Sequence, residues 1–100
     1  MSERITHMVI FTLKHEEGSD EEKKFIKDGK NILSSIPVVK NFKVRKQISK
    51  KNDFDFGFSM EFANQDDYEK YNNHNDHINF VKERWEKEVK QFLEIDFKEI

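Results

Sequence analysis

The amino-acid sequence predicts one α+β domain in which strands and helical units follow one another in the order β-α-β-β-α-β. Two patterns support this prediction. Near the middle of the chain, apolar side chains occupy every second position, as in a strand with one buried face: Phe54, Phe56, Phe58, Met60 and Phe62. Between residues 19 and 36 they recur every three or four residues, as on one face of a helix. A chain of 100 residues can build one core, so we expect a single domain over residues 1–100.

The composition excludes several classes of protein. The net charge is −2 with neutral histidines, and 13% of the residues are aromatic, which argues against a disordered chain. The absence of cysteine excludes disulfides, thiolate metal sites and a cysteine nucleophile. Because no apolar stretch approaches about 18 residues and no signal peptide opens the chain, we expect a cytoplasmic protein without a membrane partner.

The charges are unevenly distributed. Residues 1–50 carry 11 basic and 7 acidic side chains, whereas residues 51–100 carry 7 basic and 13 acidic ones. A run without any acid holds the following basic residues: Lys40, Lys43, Arg45, Lys46, Lys50 and Lys51. Only Phe42 interleaves this run and the whole chain is negative, so we interpret it as a strand edge solvated by lysines and expect no nucleic-acid partner.

The first two elements follow from local sequence signals. Residues 5–14 are rich in β-branched and aromatic types and apolar on both alternate faces, which predicts a strand covered on both sides. Ser19 followed by Glu22 predicts a capping box at the start of a helix that Pro37 ends. Gly29 lies in the apolar stripe of this helix, where the missing side chain permits close approach to a sheet.

The remaining elements are two strands, a broken helical unit and a last strand. Alternation predicts strands over residues 42–48 and 54–62. Asn64 begins a short helix that the polar residues 72–76 interrupt. We expect Asp76 to cap a further helix with these apolar residues: Phe80, Val81, Trp85 and Val89. The final strand is predicted over residues 92–97.

This order is typical of a ferredoxin-like fold, an antiparallel four-stranded sheet with helices on one face. If the helices cover the face that bears Phe54 to Phe62, the other face exposes one apolar side of the first strand. One chain has no element left to cover that face. A second copy packed sheet against sheet would cover it, so the sequence predicts a homodimer.

The side chains best suited to acid/base chemistry lie at the break between the two later helices. Two imidazoles, a phenol and a carboxylate fall within seven residues there: Tyr71, His74, Asp76 and His77. Two other histidines lie elsewhere, His7 in the first strand and His15 in a charged turn.

Five motifs in this order resemble the stress-responsive dimeric A/B barrel (Dabb) family over nearly the whole chain. They are His7-Met8-Val9-Ile10-Phe11, the Ile36-Pro37 step, Glu61-Phe62 at the end of the third strand, Tyr71-x-x-His74-x-x-His77-x-x-Phe80, and Ile95-Asp96-Phe97. The chain departs from the family pattern at Asn75, where members often have proline, and after the Ile-Pro step, where Val38 and Val39 stand in place of glycine.

The resemblance implies a dimeric α/β barrel in which each protomer has a cavity between sheet and helices that can hold a small-molecule ligand. In polyketide-cyclising members, residues matching His7, Tyr71 and His77 line this cavity and perform acid/base chemistry on a keto substrate. We therefore expect His77 as the base, Tyr71 as the hydrogen-bond donor and His7 as the orienting residue, with no cofactor. His74 and Phe80 are the expected ligand-binding residues.

Other uses of these residues remain open at the level of sequence. The family resemblance is also compatible with a non-catalytic small-ligand-binding or structural stress-response dimer, and a haem-degrading or quinol-type monooxygenase shares the dimeric barrel. His74 and His77, with His7 or Asp76, offer nitrogen and oxygen ligands for a divalent metal. A three-residue spacing across a loop does not enforce metal-site geometry, so we expect no metal site.

Overall fold

A four-stranded antiparallel sheet with helices on one face confirms the predicted ferredoxin-like fold. The computed structural model describes residues 3–100. Its elements, in chain order, are β1 (Ile5–Leu13), α1 (Asp20–Ser34), β2 (Lys40–Lys46), β3 (Phe56–Phe62), α2 (Gln65–Asn73), α3 (Asn75–Phe80), a π-helical turn (Val81–Trp85), α4 (Glu86–Glu88) and β4 (Val89–Phe97). The strands lie in the order β2-β3-β1-β4, so β1 and β3 are central and β2 and β4 form the edges.

Alternate residues of β1 lie on opposite faces of the sheet. Its odd-numbered positions, His7 and Val9 among them, are buried under the helices, whereas its even-numbered positions are only half-buried. His7 pairs with Met60 of β3 and with Asp96 of β4, so these residues share the helix-covered face. The two apolar faces predicted for β1 therefore lie in different surroundings. One is buried under the helices, and the other is half-buried on the opposite side of the sheet.

The predicted capping box at the start of α1 is confirmed. The hydroxyl of Ser19 accepts a hydrogen bond from the backbone N–H of Glu22 at 3.2 Å, and the Glu22 carboxylate accepts one from the N–H of Gly18 at 3.0 Å. These bonds satisfy backbone donors that have no partner inside the helix. The helix ends at Ser34, shortly before Pro37, whose ring and missing N–H are incompatible with a continuing helix.

The core under the helices is aromatic. Four phenylalanines have no exposed surface: Phe11, Phe25, Phe58 and Phe62. The ring of Phe11 meets those of Phe58 and Phe25 edge to face, with centroids 4.8 and 6.0 Å apart. Helix α1 approaches this core closely at Gly29, because a Cβ there would lie 2.9 Å from Cζ of Phe58.

The strands predicted over residues 42–48 and 54–62 lie at 40–46 and 56–62, and two assignments in the predicted later helix are wrong. Val89 is the first residue of β4 rather than a helical residue, because it pairs with Leu13 of β1 and the preceding carbonyl, of Glu88, accepts a hydrogen bond from the N–H of Lys14. Asp76 does not cap α3. His74 does, since its Nδ1 accepts a hydrogen bond from the N–H of Asp76 at 3.1 Å. A histidine nitrogen here replaces the carboxylate oxygen expected of a cap.

The helix after α3 is not a regular α-helix. Over Val81–Trp85 it widens into a π-helical turn, which closes with a hydrogen bond from the N–H of Glu86 to the carbonyl of Val81, five residues earlier. Such turns are rare and are frequently found at functional sites. Within residues 3–100, no helix combines the length and the apolar character needed to cross a membrane.

We expect the variant Gly29→Ala to lower the free energy of unfolding by up to about 2 kcal/mol. Alanine favours a helix over glycine by roughly 1 kcal/mol, but overpacking a buried contact typically costs about 1–3 kcal/mol, and here the new Cβ would press on the buried rings of Phe58 and Phe80. Urea unfolding measures this change. Asn31→Ala, at an exposed position of the same helix, is the control and should be neutral or slightly stabilising. A Gly29→Ala protein as stable as this control would contradict the proposed close contact.

Candidate functional site

A cavity of about 220 Å³ lies between the helix-covered face of the sheet and the helices that follow β3. Most of its wall is apolar, with Val9, Phe58 and Phe80 among the lining residues. Its polar wall comes from four side chains: His7, Tyr71, His77 and Glu94. The structure therefore brings the three residues expected to be catalytic to one cavity, although His7 lies far from the other two in the sequence.

Two side chains contact the Nδ1 atom of His7. This nitrogen lies 2.6 Å from Oδ1 of Asp96 and 3.0 Å from the hydroxyl oxygen of Tyr68, and the imidazole is 3% exposed. The Tyr68 hydroxyl donates to the same carboxylate at 3.0 Å. Because a carboxylate only accepts, the Nδ1–H of His7 is the donor, and Nε2 is left without a hydrogen bond in the described chain.

Burial disfavours the charged form of both Tyr68 and His77. The pKa of the Tyr68 phenol is raised far above its ordinary value by burial and by the neighbouring Asp96 carboxylate. Burial lowers the pKa of His77 below its ordinary value of 6.5, and the hydrogen bond with the backbone carbonyl of Asn72 opposes this effect without cancelling it. At neutral pH His77 is therefore predominantly neutral.

The neutral imidazole of His77 has a defined tautomer. Its Nδ1 lies 3.2 Å from the carbonyl oxygen of Asn72, which can only accept, so Nδ1 has the hydrogen. Nε2 then keeps its lone pair and can accept a proton. The break between α2 and α3 makes this contact possible, because residue 72 lies in the last turn of one helix and residue 77 in the first turns of the next.

Tyr71 offers a hydrogen-bond donor to the cavity. Its side chain is buried and its ring centroid lies 4.3 Å from that of His77 and 6.2 Å from that of His7. Burial, followed by the proximity of Tyr68 and Glu94, raises the pKa of its phenol far above the ordinary value. Among residues 3–100 no side chain or backbone group is hydrogen-bonded to its hydroxyl, and the oxygen is not sealed from solvent. It is thus a protonated donor that a ligand can reach.

The far wall of the cavity is formed by Trp85 and Val81, the two ends of the π-helical turn. The Trp85 ring packs on Phe11 of the core at 4.9 Å and meets Phe92 of β4 edge to face at 5.6 Å. The sequence predicts Trp85 only as one of the apolar residues of this helix. The structure shows a residue that packs on the core and lines the cavity as well.

An ion-pair network holds the outer side of this turn. The guanidinium of Arg84 donates to Asp28 of α1 at 2.7 Å and to Glu88, and Glu88 also pairs with His15 at 2.7 Å. The Arg84 hydrogen bond lowers the pKa of Asp28. Burial works to raise the pKa of Glu88, but its bonds with Arg84 and His15 outweigh burial and lower it. The helix that forms the cavity wall is in this way tied to α1 and to the β1–α1 turn.

The two expected ligand-binding residues differ in position. Phe80 lines the cavity, whereas His74 does not belong to its wall and caps α3 instead. Within the part of the chain from residue 3 onward, no three histidine, aspartate or glutamate side chains converge as metal ligands.

Sequence reasoning did not identify Tyr68, Asp96 or Glu94 as site residues. Tyr68 could have been found from its spacing of one helical turn from Tyr71, which places both phenols on one face of α2. Asp96 and Glu94 alternate with apolar residues in β4, so they share a face, but only the pairing of β1 with β4 shows that this face is the one with His7.

The family model described as "Stress responsive A/B Barrel Domain" matches residues 5–99. A Dabb family protein with a ferredoxin-like fold from Mesorhizobium loti is 54% identical, with 97% of each chain covered and a TM-score of 0.96. A search of curated proteins found no match.

More distant solved structures share the fold. A dimeric protein of ferredoxin-like fold from Bacteroides fragilis is 18% identical, with 98% of each chain covered and a TM-score of 0.76. The hydroxynitrile lyase of Passiflora edulis is 16% identical, with 97% of this chain and 94% of that chain covered and a TM-score of 0.83. On the match over residues 5–99 and the identity to the Mesorhizobium protein, the chain belongs to the stress-responsive A/B barrel (Dabb) family.

Proposed function

We propose that this protein is a homodimer whose cavity performs cofactor-independent acid/base chemistry on a small carbonyl compound, as a cyclase or a lyase. The observation that supports the proposal best is the meeting of His7, Tyr71 and His77 at one largely apolar cavity. The Passiflora protein of the same fold is a lyase, which is compatible with this class of reaction.

The first step is removal of a proton from the carbon next to a carbonyl group. Nε2 of His77 accepts this proton, because its lone pair is available and the imidazole is neutral at physiological pH. The electron pair left behind is delocalised onto the carbonyl oxygen as an enolate. The hydroxyl of Tyr71 donates a hydrogen bond to that oxygen and stabilises the developing charge.

The second step uses the enolate as a nucleophile. In a cyclase, its carbon attacks a second carbonyl of the same substrate, a carbon–carbon bond forms, and the new alkoxide takes the proton back from His77. A lyase runs the same steps in reverse and breaks that bond. Proton transfer by imidazole and phenol is sufficient for both directions.

His7 orients the substrate in this scheme. Asp96 and Tyr68 fix its ring from one side, so its free Nε2 has a defined position in the cavity wall. The cavity volume of about 220 Å³ lies below the roughly 300–1,000 Å³ typical of sites for drug-sized ligands. The substrate is therefore small and largely apolar.

The homodimer follows from the face of the sheet that the helices leave uncovered. Apolar side chains from β1 and β4 lie together on it: Met8, Ile10, Leu93, Ile95 and Phe97. Leu93 and Phe97 are 50% and 54% exposed in one chain. Exposed apolar surface of this kind is typical of an interface, and two such sheets packed face to face form an α/β barrel.

We expect light scattering at micromolar concentration to give about twice the chain mass of 12.1 kDa. Leu93→Lys should shift the mass toward the monomer, because it places a charge in the middle of the buried face. Ile78→Lys is the matched control, since Ile78 is similarly exposed but lies in α3 on the helical side. A wild-type particle of one chain mass, or equal behaviour of both variants, would rule out this interface.

We expect the wild-type protein to accelerate the enolisation of benzoylacetone, and His77→Ala to reduce this acceleration about 100-fold, as general bases typically contribute about 10²–10⁴-fold. Ultraviolet absorbance of the enol follows the rate, and circular dichroism shows whether the variant is folded. Tyr71→Phe should lose activity as well, because it removes the donor to the enolate and keeps the ring. If the wild type binds the diketone without accelerating its enolisation, the protein is a ligand-binding dimer rather than an enzyme.

The pH dependence of this reaction should show an acidic limb below the ordinary histidine pKa of 6.5. The base must be neutral, and burial lowers the pKa of His77, so the rate constant kcat/KM falls to half of its maximum only below pH 6.5. A limb centred above 6.5 would assign the base to another group.

A further inference from the structure

Glu94 has an unusual position in the cavity wall. It lies on β4 opposite Val9 of β1, so its side chain is on the helix-covered face of the sheet, two residues before Asp96. Asp96 is bonded by both His7 and Tyr68. In contrast, the Glu94 carboxylate forms neither a hydrogen bond nor an ion pair with any other residue from 3 to 100, and its side chain lines the cavity.

The cavity has no fixed positive charge to balance this carboxylate. No lysine or arginine belongs to its wall, where the titratable groups are His7, Tyr71, His77 and Glu94. Tyr71 stays protonated and His77 stays neutral at physiological pH. The carboxylate of Asp96 lies 2.6 Å from Nδ1 of His7, so a second acidic group stands beside this wall. A bound anion would therefore meet Glu94 without a compensating cation.

We propose that Glu94 determines which ligand charge the cavity accepts: uncharged carbonyl compounds and those with an amine enter, and free carboxylates are excluded. The inference rests on the proposed function, because it names the class of that function's substrate. A ketone or an ester is accepted, whereas the corresponding keto acid is rejected. A hydroxyl or ammonium group of the ligand can donate to the oxygens of Glu94.

The alternative is that Glu94 only solvates the exposed edge of the sheet. Charged side chains on edge strands prevent association with other sheets, and Glu94 is largely exposed. The two roles predict different behaviour toward ligands, because a solvating carboxylate can be replaced by an amide without any effect on charge selection.

Three probes with one carbon skeleton test the proposal: 3-phenylpropanamide, 3-phenylpropan-1-amine and 3-phenylpropanoate. They are neutral, cationic and anionic at pH 7. Trp85 is the only tryptophan of the chain and lines the cavity, so its indole N–H signal in a ¹H–¹⁵N NMR titration reports binding at this site. The titration is carried out on wild type, Glu94→Gln and Glu69→Gln, an exposed position on α2 at which the same charge is lost away from the cavity.

In wild type and in Glu69→Gln, we expect the amide and the amine to bind at least about fivefold more tightly than the carboxylate, which is the effect of unit charges about 4 Å apart when bulk water screens them fully. In Glu94→Gln, the preference for the amide over the carboxylate should fall about fivefold, and the amine should bind more weakly. Unchanged selectivity in Glu94→Gln, a wild type that prefers the carboxylate, or no shift of the Trp85 signal with any probe would each overturn the proposal.

This test is independent of turnover. A failed enolisation assay would remove the proposed acid/base function and leave the charge selection measurable by binding. Unaltered selectivity in Glu94→Gln alongside activity that depends on His77 would remove the role of Glu94 and leave the enzyme.

Discussion

The alternation of side chains along β1 is the constraint on which the rest of this structure depends. As a central strand, β1 is hydrogen-bonded to β3 on one side and to β4 on the other, so its register is fixed by two partners. Its odd positions contribute His7 and the core beneath the helices, and its even positions contribute Met8 and Ile10 to the uncovered face. A shift of one residue would exchange these two sets of side chains. The cavity and the proposed dimer surface are thus two sides of one nine-residue strand.

The site also depends on the interruption of the second helical unit. A continuous helix through residues 72–76 would satisfy the carbonyl of Asn72 within the helix. The break leaves that oxygen available to His77 and allows His74 to begin a new helix. The same interruption therefore fixes the tautomer of the proposed base and orients α3 toward the cavity. The Asn75 position, where family members often have proline, shows that a cap alone is sufficient for this break.

The sequence was sufficient to predict what depends on local periodicity and caps. The alternating phenylalanines of β3, the Ser19 capping box and the close approach at Gly29 are local signals, and each agrees with the structure. The contacts that orient His7 were not predictable in the same way. Asp96 reaches His7 only through the register between the first and last strands, which no short pattern encodes.

Predictions from local residue preferences were also wrong where a contact with another part of the chain determined the conformation. Val89 continues the apolar pattern of the preceding helix, yet it pairs with Leu13 because β1 offers hydrogen bonds to a strand at that point. His74 caps α3 although Asp76, two residues later, is the stronger capping residue, because the His74 nitrogen accepts the N–H of Asp76. Neither outcome follows from residue preferences alone.

The π-helical turn has an evolutionary consequence. A turn closed over five residues contains one residue more than an α-helical turn, and one residue corresponds to a rotation of about 100° around the helix axis. Deleting a single residue between Val81 and Trp85 would carry the Trp85 ring away from the cavity without altering His7, Tyr71 or His77. Members of this fold can therefore acquire cavities of different size by gaining or losing one residue of helix. The size of the cavity can thus change while its polar side chains stay the same.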